Sequence, residues 1–190
     1  EIMPSLVGSE MCIRDSIYCD NRLILTAPEA RDLVERAIAE TVKREYPQAQ
    51  VLMGTATAGI AHAAIAAHLL GLPMGYVRSS SKDHGRQNRI EGKLVPGQKV
   101  VVVEDLISTG GSSLKAVAAL REAGFEVVGM VASFTYGFPI AEEAFKEAGV
   151  KLVTLTDYPH VVEKALETGY IKEEDVPMLH EWRKDPANWK

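Results

Sequence analysis

Two neighbouring carboxylates and a glycine-rich turn lie close together in the middle of the chain. Glu104 and Asp105 follow a run of four valines, and Thr109-Gly110-Gly111-Ser112 comes shortly after them. Glycines let a backbone approach a phosphate closely, and the free amides at a helix start donate hydrogen bonds to its oxygens. A carboxylate repels phosphate but accepts hydrogen bonds from the hydroxyls of a cis-diol. The combination predicts a site for ribose 5-phosphate.

The acidic pair has a second possible use, because carboxylates stabilise positive charge that develops on a ribosyl carbon. Thr109, Ser112 and Ser113 add hydroxyl donors. The plainer interpretation is a helix-capping turn beside two solvated acids. The position directly after an apolar strand favours the functional interpretation, since ligands of open α/β sheets lie at the carboxyl ends of strands.

A second turn of small residues runs from Gly54 to Gly59. It follows a short strand candidate and precedes a helix, so it meets the same criteria for binding an anion. It contains no acidic residue, which would suit a pyrophosphate group. Turns of this composition are common, and the prediction therefore depends on the presence of the first turn.

A polar, charged stretch without periodicity, from Ser79 to Lys93, predicts a long exposed loop. One interpretation is a solvated, mobile loop. The other is a lid whose cations neutralise a leaving pyrophosphate and whose closure excludes water. The lid is favoured by four formal positive charges in a chain whose net charge is −5; the loop contains Arg78, Lys82, Asp83, His84, Arg86 and Arg89.

Helical and strand patterns alternate from Thr26 onward, with connections too short for a second domain. This alternation predicts a doubly wound α/β fold with a parallel sheet. A capping box at Thr26–Glu29 predicts the first helix start. Strands are expected at 50–53, 74–78, 99–103, 126–134 and 150–155, and further helices at 60–70, 112–123, 140–148, 160–168 and 173–183.

Composition excludes several classes of protein. A hydrophobic fraction of 46% and a charged fraction of 25% over 190 residues are typical of a globular protein. The negative net charge argues against a nucleic-acid partner. The sequence contains no stretch of 18 apolar residues, so no membrane span is predicted. Cys12 and Cys19 are too few for a disulfide framework, so we expect free thiols in a reducing cytoplasm.

Two motifs resemble those of a known family. The segment from Val100 to Ser113 (VVVVEDLISTGGSS) resembles the phosphoribosyl pyrophosphate signature of type I phosphoribosyltransferases. The stretches RSSSKDHG (78–85), followed by Ile90-Glu91-Gly92, and SIYCDNR (16–22) are similar to orotate phosphoribosyltransferases. The resemblance covers residues 16–190. It implies a type I fold with a small hood, and transfer of the phosphoribosyl group to orotate, giving orotidine 5′-phosphate and pyrophosphate in pyrimidine (UMP) synthesis.

The resemblance also implies roles for individual residues. Asp105, Lys82 and His84 are expected to be catalytic, and Ser108 is expected to contact orotate. The phosphoribosyl pyrophosphate contacts it implies are Arg78, Lys82, His84, Glu104, Asp105, Leu106, Ile107, Ser108, Thr109, Gly110, Gly111 and Ser112. The pyrophosphate loop it implies consists of Thr55, Ala56, Thr57, Ala58 and Gly59.

The resemblance further implies a cytoplasmic homodimer with shared active sites. In the family, the Arg, Lys and His of the loop contact phosphoribosyl pyrophosphate bound by the neighbouring subunit, roles that fall to Arg78, Lys82 and His84. Mg²⁺ is expected as cofactor, held mainly through the substrate rather than by a dedicated protein site. Neither a nucleic acid nor a membrane is expected as partner.

The chain departs from the family pattern at several positions. Some members have Lys in place of Ser79, Tyr-Lys in place of Thr57-Ala58, and an orotate-contacting Arg within 135–137. Residues 1–15 look like translated cloning or sequencing adapter, so we expect a non-native segment 1–15, a single domain 16–190 and a hood incomplete at the N-terminus. A phosphoribosyltransferase for another base, such as a purine, and a phosphoribosyl pyrophosphate-sensing regulator remain alternatives. The loop at 82–85 argues against the first, and the acidic charge balance against the second.

Overall fold

The computed structural model describes residues 19–78, 89–93 and 95–186. Within these residues, strands alternate with helices along the chain. The strands are β1 (Val51–Thr55), β2 (Met74–Val77), β3 (Ile90–Glu91), β4 (Lys99–Ile107), β5 (Glu126–Thr135) and β6 (Leu152–Asp157). The α-helices are α1 (Pro28–Glu45), α2 (Ala58–Leu70), α3 (Gly111–Glu122), α4 (Pro139–Glu147), α5 (Tyr158–Glu167) and α6 (Val176–Lys184), and two 3-10 helices span Asn21–Thr26 and Glu173–Asp175.

The strands form one six-stranded sheet in the order β3-β2-β1-β4-β5-β6. All neighbours run parallel except β3, which pairs antiparallel with β2 at the edge. The predicted doubly wound α/β fold is confirmed, and the sheet that was predicted to be parallel has one antiparallel edge strand. The prediction of an unbroken loop over 79–93 is wrong at Ile90–Glu91, because a two-residue strand is too short to show a period. Residues 1–18, and with them the N-terminal part of the expected hood, lie outside the described residues.

Four consecutive valines at the centre of β4 explain why helices cover both faces of the sheet. Val100 to Val103 have no exposed surface. Val100 and Val102 face one apolar cluster with residues of α3 and α4, whereas Val101 and Val103 face another with residues of α1 and α2. Side chains alternate between the faces of a strand, so a continuous apolar run is expected where both faces are buried.

The start of α1 differs from the capping box that the sequence predicts. Ala27 is the N-cap and forms no side-chain cap, and Pro28 occupies the first helical turn. The Thr26 hydroxyl instead donates to the carbonyl of Leu23, because Thr26 is the last residue of the preceding 3-10 helix. The fixed φ of proline is sufficient to start the helix there.

An aromatic cluster anchors the C-terminal helices to the end of β5. Tyr136 lies 5.0 to 5.7 Å, between ring centroids, from the rings of four neighbours: Phe134, Phe138, Tyr158 and Trp182. Arg183 of α6 donates from Nε to the Tyr136 carbonyl and from Nη2 to the Gly137 carbonyl, at 3.0 and 3.1 Å. These bonds hold the turn after β5 against α6, and the Tyr136 amide, which donates to the Ile107 carbonyl at 3.1 Å, holds the turn beside the end of β4. Among the helices of the described residues, none is both long and apolar enough to cross a membrane.

Candidate active site

The two acidic residues belong to β4 itself rather than to a turn after it. β4 continues to Ile107, so Glu104 and Asp105 lie within its last four positions. Glu104 is only 7% exposed, whereas Asp105 is half-buried. The sequence pattern does not distinguish Glu104 from Asp105, whereas in the structure the two carboxylates have different surroundings.

The Glu104 carboxylate is held by three donors of the protein. Oε1 accepts from the Thr55 hydroxyl at 2.6 Å and from the Asp105 amide at 3.0 Å. Oε2 accepts from the Ser113 hydroxyl at 2.9 Å. Thr55 ends β1 and Ser113 lies in the first turn of α3, so this carboxylate joins two elements that the sequence separates widely.

Burial, followed by the neighbouring Asp105 carboxyl, raises the pKa of Glu104 to about 7. The two hydroxyl donors act in the opposite direction, because they stabilise the charged form. Glu104 therefore exchanges its proton near neutral pH.

The start of α3 leaves backbone amides free of any side-chain cap in the structure. Gly110 is the N-cap, with a left-handed φ of 79°, and no side chain caps the helix. A Cβ at Gly110 would also lie 2.8 Å from the ring of Phe145, so glycine is required by both conformation and space. Uncapped amides and the helix dipole make this start suitable for a phosphate.

The start of α2 has a similar construction. Thr55 ends β1, the turn Ala56-Thr57 follows, and the helix begins at Ala58, again without a side-chain cap. The Ala56 amide donates to the carbonyl of Val77 at 2.8 Å, which fixes the turn against β2. β1 and β4 are hydrogen-bonded neighbours, so the two uncapped helix starts lie at the same edge of the sheet.

A cavity of about 640 Å³ opens between these two helix starts. Its size is in the range of small-molecule sites. Both acidic residues line it, and so do four cationic side chains, which gives it an excess of positive charge in an acidic protein. The lining residues are Arg22, Thr55, Ala56, Thr57, Ala58, Val77, Arg78, Arg89, Glu104, Asp105, Leu106, Gly111, Ser112, Lys115 and Ala116.

The four cations differ in their partners. Arg22 binds Asp20 through Nε and Nη2, and Arg78 lies 3.5 Å from Glu91. Within the described ranges, Arg89 and Lys115 have no acidic partner. These two side chains are therefore available to a bound anion.

Lys115 is the residue that sequence reasoning missed. It lies four positions after Gly111 in α3, so both residues occupy the same face of the helix, and both line the cavity. That spacing was the available signal, because a lysine one turn after a glycine-rich helix start reaches the same anion.

The structure brings together most of the residues expected at the site. Arg78, Glu104, Asp105 and Leu106 line the cavity, as do Gly111, Ser112 and the first four residues of the expected pyrophosphate loop. Gly59, Ser108, Thr109 and Gly110 belong to the two turns but do not line it, and Ile107 is fully buried in the core. Lys82 and His84 lie outside the described residues.

The segment before α1 is attached to the same edge of the sheet. Asn21 donates from Nδ2 to the Asp105 carbonyl, and the Cys19 amide donates to the Tyr136 hydroxyl, both at 2.9 Å. Cys19 is a free thiol, as predicted, whereas Cys12 lies outside the described residues. Burial, then the charges of Asp20 and Asp105, raise the pKa of the Cys19 thiol to about 11.

Comparison with known proteins places this geometry in a family. Residues 22–167 match the phosphoribosyl transferase domain family. An orotate phosphoribosyltransferase of Phocaeicola vulgatus is 58% identical over 177 residues, which are 93% of this chain and 84% of the relative.

Solved structures give the same result. The orotate phosphoribosyltransferase of Aeropyrum pernix superposes with a TM-score of 0.72 at 30% identity, covering 82% of this chain and 85% of that one. The enzyme of Mycobacterium tuberculosis H37Rv, in complex with 5-phospho-α-D-ribosyl 1-diphosphate, has a TM-score of 0.62 at 29% identity, covering 79% and 86%. The resemblance carried by VVVVEDLISTGGSS and RSSSKDHG is thus confirmed, and the chain belongs to the orotate phosphoribosyltransferases within the phosphoribosyltransferase family.

Proposed function

We propose that this chain transfers the phosphoribosyl group of phosphoribosyl pyrophosphate to orotate, giving orotidine 5′-phosphate and pyrophosphate. The observation that carries the proposal is a single cavity that joins two uncapped helix starts, an accessible carboxylate and cations without acidic partners. A substrate with two separate phosphate groups and a diol between them matches this arrangement.

Each part of the substrate has a complementary part of the cavity. The 5-phosphate is assigned to the turn Ser108 to Ser112 at the start of α3, where amides are uncapped. The pyrophosphate is assigned to Thr55 to Gly59 at the start of α2. The ribose hydroxyls are assigned to Asp105, and to Glu104 behind it. Orotate is assigned to the side of Ser108.

In the reaction, the bond from the ribosyl carbon to pyrophosphate breaks, and a bond from that carbon to a ring nitrogen of orotate forms as this nitrogen loses its proton, which His84 is proposed to transfer to the leaving pyrophosphate. Positive charge develops on the ribosyl carbon, and the carboxylate of Asp105 stabilises it. Arg89 and Lys115 neutralise charge on the phosphates, and Lys82 and His84 of the loop act on the leaving pyrophosphate. Orotate is already a good nucleophile at this nitrogen, so no strong general base is required.

Mg²⁺ is proposed as cofactor, and the donors present fit this ion. Mg²⁺ binds one or two carboxylates together with substrate phosphates. Asp105 presents a carboxylate to the cavity, and the described residues bring together no cluster of three or more His, Cys, Asp or Glu that could hold a metal. Asp105 would hold the ion together with the substrate, and the ion would supply charge neutralisation to the leaving diphosphate.

We further propose a cytoplasmic homodimer in which the loop residues Lys82 and His84 reach the neighbouring subunit's site. Arg78 lines the cavity of its own chain, so the loop would begin at one site and extend to the other. A mixture of Asp105→Asn and Lys82→Ala proteins tests this arrangement. Mixed dimers contain one site with both native residues, so activity should reappear on mixing. Two inactive proteins that stay inactive after subunit exchange would contradict shared sites.

The direct test of the proposed function is pyrophosphate release by this chain with a panel of bases. Orotate should support release in the presence of phosphoribosyl pyrophosphate and Mg²⁺, whereas adenine, hypoxanthine and uracil should not. Asp105→Asn and Lys82→Ala should each release pyrophosphate much more slowly than the parent. Release with a purine and not with orotate would overturn the assignment.

A further inference from the structure

We propose that Glu104 couples the two phosphate-binding segments, so that an anion at one segment strengthens binding at the other. This inference deepens the proposed function and rests on it. Besides its proposed contact with the ribose, Glu104 acts here as a positioning residue, through Thr55 on the pyrophosphate side and Ser113 on the ribose-phosphate side.

One carboxylate connects the two phosphate-binding segments. The Thr55 hydroxyl donates to Oε1 of Glu104 at 2.6 Å, and the Ser113 hydroxyl donates to Oε2 of the same carboxylate at 2.9 Å. Thr55 is the residue before the α2 turn, and Ser113 is in the first turn of α3. One side chain therefore links the two segments assigned to the two phosphates.

The three side chains of this link are buried. Glu104 is 7%, Thr55 6% and Ser113 2% exposed. Hydrogen bonds to a carboxylate are stronger than neutral ones, and removing a donor from a largely buried carboxylate costs free energy. A shift of either hydroxyl away from Glu104 is therefore opposed, and the two segments hold each other in place.

The start of α2 approaches β4 closely. A Cβ at Gly59 would lie 2.5 Å from the Thr55 hydroxyl oxygen and 2.5 Å from the Val103 carbonyl oxygen. The start of α2 thus lies directly against Thr55 and against the residue before Glu104. Since packed interiors deform little, a displacement of the α2 start is transmitted to the Glu104 carboxylate.

Coupling of this kind is reciprocal and measurable. If ribose 5-phosphate raises the affinity for pyrophosphate by some factor, then pyrophosphate raises the affinity for ribose 5-phosphate by the same factor. The two anions also repel each other, but this repulsion is the same in the parent and in a hydroxyl-deletion variant. The difference in coupling between the parent and such a variant therefore isolates the contribution of Glu104.

The experiment is calorimetric titration of the full chain, in MgCl₂, with pyrophosphate alone, ribose 5-phosphate alone, and each in the presence of the other. The variants are Thr55→Val and Ser113→Ala, with Thr55→Ser as the conservative rescue. Ser133→Ala is the matched control, because Ser133 is a buried serine whose hydroxyl has no hydrogen-bond partner.

Ser113→Ala is expected to weaken pyrophosphate binding several-fold, although Ser113 is on the ribose-phosphate side, and to reduce the coupling factor about fivefold or more. Thr55→Val should weaken the binding of ribose 5-phosphate several-fold, although Thr55 is on the pyrophosphate side. Thr55→Ser and Ser133→Ala should retain the coupling of the parent.

A variant that weakens only its own ligand, or that lowers both affinities and the melting temperature without changing the coupling factor, would overturn the inference. A parent that binds and couples both ligands but does not turn over orotate would overturn the proposed function alone. A parent that binds neither ligand would overturn both proposals.

Discussion

The starts of α2 and α3 share the same backbone arrangement. Each follows a buried parallel strand, each begins in a turn of small residues, and neither has a side-chain cap. They differ in the side chains around them. The strand before α3 carries Glu104 and Asp105 within its last four residues, whereas the strand before α2 ends with Gly54 and Thr55.

This difference shows that backbone geometry and side-chain chemistry have separate effects. Free amides at a helix start attract an anion in both places. Only the α3 side adds carboxylates, which suit a sugar diol and repel a second phosphate. The repeated backbone arrangement therefore does not create two equivalent sites, and each of the following changes tests one side of the comparison.

The largest effect is expected from Asp105→Asn, which removes the accessible charge of the α3 side. Since that carboxylate is assigned to the developing positive charge, kcat/KM should fall about 10²- to 10³-fold in the pyrophosphate-release assay. Asp157→Asn is the matched control, because Asp157 ends β6 at the same edge of the sheet but does not line the cavity. Equal losses in the two variants would contradict the assignment.

Gly59→Ala should displace the start of α2, which is assigned to pyrophosphate. The new Cβ would lie 2.5 Å from the backbone carbonyl of Val103, which cannot rotate away. We expect weaker pyrophosphate binding and a loss of about 1–3 kcal/mol in the free energy of unfolding. Urea denaturation and calorimetry measure the two effects. Gly111→Ala at the α3 start has its nearest neighbour at 4.0 Å and should leave stability nearly unchanged, so a comparable loss there would undermine the packing argument.

A pH-dependent difference in stability is expected between the parent and Glu104→Gln. The pKa of Glu104 is raised from 4.5 to about 7, so the folded state binds this proton more tightly than the unfolded state. Stability from this group is therefore greatest below about pH 4.5 and is lost as pH rises through 7. Relative to Glu104→Gln, the parent should lose on the order of 1–3 kcal/mol between pH 5 and pH 8. Urea denaturation at both pH values measures this, and parallel profiles would refute it.

The smallest effect is expected from Lys115→Gln on the α3 side. The side chain contributes a single exposed charge at the cavity, so KM for phosphoribosyl pyrophosphate should rise roughly 3- to 10-fold, and less at high salt. Lys146→Gln on α4 is the control, because Lys146 is exposed and does not line the cavity. An unchanged KM would show that Lys115 does not contribute to binding of the anion.

Local patterns in the sequence predicted the framework of both sides. The valines of β4 predicted a strand buried on both faces, and the turn at 109–112 predicted the start of the next helix. These features are readable because neighbouring residues carry them. The antiparallel strand Ile90–Glu91 was not predicted, since its pairing with β2 is a contact across the loop rather than a pattern within it.

The different surroundings of Glu104 and Asp105 also could not be predicted. The two hydroxyl donors of Glu104 come from Thr55, 49 positions away, and from Ser113 in the first turn of α3, so no local pattern marks them. A sequence shows which residues could serve a site, and the neighbouring elements of the fold decide which of them face it.

The aromatic cluster at the end of β5 offers an intrinsic optical signal. The chain contains two tryptophans, Trp182 and Trp189, so Trp189→Phe leaves Trp182 as the sole indole fluorophore. Trp182 is 2% exposed and packs at an angle against the rings of Tyr136, Phe138 and Tyr158, away from the cavity lining. Its emission should therefore shift to the red when α6 detaches from the sheet. Because Trp182 does not line the cavity, a bound ligand should not quench this emission by direct contact.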